Sequence, residues 1–183
     1  RSKRLFQIMQ EHVFSDIDIN EQSRNCLREI KNIHITDDSK HMAKLKEKGD
    51  RGENNSLRYE KEKKEVTKAI IVSHYDEQKG FDLVSCYKNG LEKKIEVKAS
   101  SYGNATIKWG QWKKAKKIHN LDNYQYEFHL WRLKTEELAI ITRDDILAKL
   151  PNIEIDIDSK SHWDTFKLDY SDFNDKFFKP FDS

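Results

Sequence analysis

The chain predicts an α/β domain of the α+β kind, a mixed central sheet flanked by helices and preceded by a helical extension. Three observations carry that reading. Apolar runs at residues 69–74, 81–87 and 93–99 follow one another as strands with short connections. A helix-like stretch precedes them and a second follows at 108–118. Two more strand-like runs, 127–133 and 138–142, come after that helix, so helices and strands share one core.

Residues 4–14 and 20–33 space their apolar positions as short helices do, with Leu5, Ile8 and Met9, then Cys26, Leu27 and Ile30. Residues 34–41 are polar and read as a loop. The pattern from 42 to 68 is helical, with a break expected at Gly49 and Gly52. Lys88-Asn89-Gly90 supplies the turn between the second and third strands. Residues 100–105 read as a loop, and 143–150 as a short helix ended by Pro151. Ile153, Ile155 and Ile157 alternate with acids as an edge strand does, and 166–170 is expected to pair with it. The organisation that follows is a helical extension over 1–45, a core over 46–150, and an acidic extension over 151–183 that packs on the core.

With 183 residues the chain is long enough for one real core. Charged residues make up 36% of it, but the signs are mixed and aromatic residues reach 11%, so it should fold rather than stay disordered. The net charge of +2 hides an uneven distribution. Residues 93–117 carry eight lysines against one acid, whereas 151–183 carry eight acids against four lysines. A lysine-rich segment of this kind suits a polyanionic partner. Cys26 and Cys86 stand apart, without metal-ligand or disulfide spacing, which fits a reducing compartment. No apolar run approaches the ~20 residues that span a bilayer, and no signal peptide is visible. A cytoplasmic location with no membrane partner is therefore expected. Because the chain opens on Arg1 rather than Met, it reads as part of a longer polypeptide.

The chemistry lies in which side chains share a strand face. In Lys94-Ile95-Glu96-Val97-Lys98, alternation puts Ile95 and Val97 on one face and Glu96 and Lys98 on the other. Asp82 opens the preceding strand, so a hairpin brings it beside Glu96. Two carboxylates and an ammonium on rigid strands make a small oxygen-ligand metal site with a built-in cation. Other chemistries are absent from the sequence. The seven histidines follow no zinc-ligand spacing, and neither a hydrolase elbow nor a phosphate-binding loop occurs.

These residues give the chain a wider resemblance. Gly80-Phe81-Asp82-Leu83-Val84-Ser85, then Ile95-Glu96-Val97-Lys98, preceded by Gly52-Glu53 and Tyr59-Glu60 and followed by Phe128-His129-Leu130-Trp131-Arg132, resemble the PD-(D/E)xK, or restriction-endonuclease-like, nucleases. The pattern is most similar to the NO VEIN C-terminal-type domains of bacterial restriction and defence proteins, and covers about residues 49–145. The resemblance implies a restriction-endonuclease-like core and a Mg2+-dependent DNA endonuclease, with Mn2+ able to substitute. Asp82, Glu96 and the Val97 backbone carbonyl would be the metal ligands. Two neighbouring carboxylates favour a charged ammonium, so Lys98 is assigned positioning and electrostatic duties rather than general-base work.

A further acid is expected from the first helix, and Glu53 is ranked above Glu60 because it follows the glycine. Asn54 and Asn55 depart from the apolar residues usual there. Gln111 and Lys114 resemble an auxiliary motif whose side chains point into the cleft, which adds Gln111 to the catalytic group. Lys108, Lys113, Lys114 and Lys117 are the expected phosphate contacts, and Trp109 and Trp112 either stack on bases or pack the helix on the sheet. Duplex DNA is the expected partner, with a homodimer or a larger restriction or defence assembly. The rival reading is a catalytically silent module that binds nucleic acid or supports assembly.

Overall fold

Strands Val66–Ile71 (β1), Leu83–Tyr87 (β2) and Glu92–Ser100 (β3) form an antiparallel meander in a computed structural model that describes residues 21–73, 80–119, 121–149 and 165–181. The β2–β3 turn is closed by the Gly90 N–H donating to the Tyr87 carbonyl at 3.0 Å, with Gly90 at a φ of 85° that favours glycine. The chain then passes through Asn104–Lys108 (β4) and the helix Trp109–His119 before Tyr124–Arg132 (β5) pairs parallel to β3. Glu137–Thr142 (β6) and Phe177–Phe178 extend the sheet antiparallel, giving six strands in the order β1-β2-β3-β5-β6 and then Phe177–Phe178.

Each sheet face meets a helix. The helix Glu21–Glu62 (α1) brings Leu57 and Tyr59 against Leu83, Ile95, Val97, Trp131 and Leu138. On the other face, helices Trp109–His119 (α2) and Arg143–Lys149 (α3) bring Trp112, Ala115, Ile118 and Ile146 against Phe128, Leu130 and Ile141. The fold is thus α+β, a mixed sheet flanked by helices. The chain divides into two compact units, Arg1–Leu45 and Lys46–Ser183. Among the described residues no helix is long and apolar enough to cross a membrane.

Several expectations need correction. One unbroken helix, Glu21–Glu62, replaces the expected short helix, the loop over 34–41 and the breaks at Gly49 and Gly52. No proline interrupts 21–62, and polarity alone does not end a helix. Gly52 sits within the helix because α1 crosses β3 there: a Cβ on it would lie 2.6 Å from the Ala99 Cβ. The helix stops at Glu62, so residues 63–68 are not helical, and β1 begins at Val66. Asn104 and Ala105, expected as loop, open β4, which runs to Lys108, so the helix begins at Trp109. Thr165–Asp169 pairs antiparallel with β4, Leu168 opposite Ala105. The segments 4–14 and 150–164 lie outside the described residues, and with them the expected first helix, Pro151 and the Ile153–Ile157 strand.

Candidate functional site

The β2–β3 register sets the site. Leu83 lies opposite Ile95, and the Asp82 N–H donates to the Ile95 carbonyl at 2.8 Å, so Asp82 faces Glu96 one position along. The Asp82 carboxylate Oδ2 accepts the Val97 N–H at 2.7 Å. In an extended strand a residue's N–H and C=O point to the same edge, which turns the Val97 carbonyl toward Asp82 as well. Lys98 Nζ donates to Glu96 Oε1 at 2.8 Å, and Gln111 Nε2 donates to the same oxygen.

Gln111 owes its position to the start of α2. Its own Oε1 accepts the Lys108 N–H at 2.8 Å, as the third residue of a helix does when it reaches back to cap the residue before the first turn. One side chain therefore caps α2 and fixes the Glu96 carboxyl. Glu96 is only 2% exposed. Burial pushes its carboxyl up to about 7; Lys98 opposes the shift, and Asp82 adds to it. Burial also raises Asp82, against the Val97 N–H, Lys98, Glu96 and Lys108, which pull it down. The two carboxyls act on each other in opposite senses, Asp82 raising Glu96 and Glu96 lowering Asp82.

Tyr126, unassigned by sequence reasoning, completes the group. Its hydroxyl donates to the Gly80 carbonyl at 2.6 Å, and burial, then Glu96 and Asp82, hold it protonated far above the usual phenol range. It comes from β5, and nothing local in the sequence reveals the parallel register that brings β5 alongside β3.

Glu53 joins less directly. Its Oε2 accepts the Ser73 hydroxyl at 2.7 Å, and the Ser73 N–H donates to the Asp82 carbonyl at 3.3 Å. Lys108, Lys113 and Lys117 are exposed, and Lys114 is half-buried beside Gly80. Trp112 is fully buried and meets the edge of Phe166, so it serves packing and not base stacking. Trp109 is half-buried under the Lys113 ammonium. Glu60 lies on the opposite sheet face, ion-paired with Lys63 and accepting the Tyr87 hydroxyl at 2.9 Å.

No family model matches the chain, and no curated protein matches it either. The arrangement is therefore read from its chemistry. Two adjacent carboxyls whose proton affinity burial raises, with a backbone carbonyl beside them, supply hard oxygen donors that a small dication such as Mg2+ would satisfy. Asp82, Glu96 and the Val97 carbonyl would hold it.

Proposed function

We propose that this chain is a Mg2+-dependent endonuclease domain of the PD-(D/E)xK type, built on a restriction-endonuclease-like core, that hydrolyses phosphodiester bonds in duplex DNA. Mn2+ would substitute. The observation that carries the reading is the convergence of Asp82, Glu96 and Lys98 on the face where lysine-rich α2 begins. A bound dication would polarise the scissile phosphate and offset the charge that develops on it. Lys98 would hold the attacking water and stabilise the pentacovalent charge from the other side. Gln111 keeps the Glu96 carboxylate aimed, and Glu53, through Ser73, steadies the strand that carries Asp82. Water's oxygen forms the new bond to phosphorus while the bond to the 3′ oxygen breaks, leaving a 5′ phosphate. The attacking water loses its proton to solvent, and solvent protonates the departing 3′ oxygen.

Exposed Lys108, Lys113 and Lys117, with half-buried Lys114, would take the flanking phosphates. We assign the protein to the cytoplasm and to a restriction or phage-defence assembly, with paired copies for double-strand cleavage. The test is a substrate panel in Mg2+ and in Mn2+: supercoiled, linear and single-stranded DNA, and RNA. Products with 5′ phosphates from duplex DNA are expected. Salt-sensitive DNA binding without products, at enzyme excess, would instead support a silent binding module.

A further inference from the structure

Strand alternation gives β5 two chemistries. Tyr126 and Phe128 face α2, while Glu127 and His129 face α1, opposite the carboxylate pair. There they meet Glu60, one helical turn along α1 from Ser56. Glu60, Glu127 and His129 are each 3% exposed or less, and their ligand atoms lie within 4.8 Å of one another.

The polar atoms inside this group are not satisfied by each other. His129 Nε2 stands 3.7 Å from Glu127 Oε2 and 3.9 Å from Glu60 Oε1, beyond hydrogen-bond reach. Both Nε2 and Glu127 Oε2 are buried without a hydrogen-bond partner. Native cores rarely leave such atoms without a partner, since each has lost its water and gained nothing in return. The other imidazole nitrogen is fixed: Nδ1 lies 3.1 Å from Ser56 Oγ, which also accepts the Trp131 indole N–H at 2.7 Å. An imidazole anchored at one nitrogen by a hydroxyl, with the other turned toward two carboxylates, is how a metal-binding histidine is usually oriented.

We propose that Glu60, Glu127 and His129 form a second metal site, on the α1 face of the sheet, that takes a transition dication such as Zn2+. An imidazole ligand favours Zn2+ over Mg2+, which keeps the site chemically distinct from the carboxylate pair. Bonds of about 2.0–2.2 Å to the three atoms require the side chains to close in by only tenths of an ångström.

The two lysines behave differently. Lys93 pairs with Glu127 Oε1 at 2.6 Å and leaves Oε2 free to face His129. Lys63 pairs with Glu60 Oε1, the oxygen that also faces His129, so its ammonium competes with the ion. Bound metal would tie the C-terminal half of α1 to β5.

The test is Zn2+ content and affinity in full-length protein carrying Asp82→Asn and Glu96→Gln, which removes the first site. We expect one Zn2+ per chain after dialysis, and loss of it on adding Glu127→Gln or His129→Gln. Lys63→Met should tighten binding by about tenfold or more, because a competing charge is gone. Should His129→Gln fail to fold, Glu127→Gln, which keeps the side-chain shape, decides. Folded protein that retains no Zn2+, or Zn2+ affinity unchanged in Glu127→Gln, would overturn the proposal.

Discussion

Glu96 is the residue on which most of the site's energetics turn. Its folded proton affinity lies near 7 against an ordinary 4.5, so the folded state binds the proton more tightly than the unfolded chain does. That contribution is complete below about 4.5 and is lost as pH rises through 7, on the order of 3 kcal/mol in all. In chelator, thermal melts between pH 5 and 8 should therefore show stability falling as pH rises, and Glu96→Gln should flatten the curve. A flat wild-type curve would contradict the buried carboxyl pair. Mg2+ competes with that proton, so raising Mg2+ should move the acid limb of the pH–rate profile to lower pH. On activity, Asp82→Ala and Glu96→Ala should each lower cleavage by at least ~10²-fold, and Lys98→Ala by ~10–10²-fold, with circular dichroism unchanged. Full nicking by either carboxylate variant would remove the mechanism.

The elements differ in how far the sequence alone reveals them. The β2–β3 hairpin is local: Lys88-Asn89-Gly90 sets its register, and period-two alternation then assigns Asp82, Glu96 and Lys98 to one face. The β3–β5 pairing is not local, because a parallel register follows from how α2 packs, so Tyr126 and the Glu127–His129 face stay hidden. Strand β4 is short and its alternate residues are exposed, so it looks like loop until Thr165–Asp169 pairs with it. Helix α1 is legible in two pieces, 20–33 and 42–68, and the polar residues 34–41 hide its continuity because a solvated helix and a loop share that composition.

Two substitutions test this packing. Gly52→Ala gains helix propensity, yet its Cβ meets Ala99 at 2.6 Å, so a net loss of about 1–3 kcal/mol is expected in urea unfolding. A neutral or stabilised Gly52→Ala would mean that α1 does not press on β3. Trp112→Ala empties the core beneath α2 and should lose about 3–5 kcal/mol.

At the scale of the whole molecule, charge distribution joins the site to its substrate. The basic stretch 93–117 covers β4 and nearly all of β3 and α2, so the lysines and the carboxylate pair belong to neighbouring elements. DNA binding should weaken with salt, each neutralised phosphate adding about 0.9 to the slope of log K against log salt. Lys113→Ala with Lys117→Ala should reduce that slope by up to about 2 and leave the pH dependence of stability unchanged. An unaltered slope would place the DNA elsewhere.

The most direct measurement is single-turnover cleavage of supercoiled plasmid at enzyme excess, comparing wild type with Glu96→Gln in Mg2+ and in chelator. Nicked and linear DNA should form only from wild type and only with the metal present. Equal product from Glu96→Gln, or none from wild type in either Mg2+ or Mn2+, would contradict a catalytic carboxylate pair.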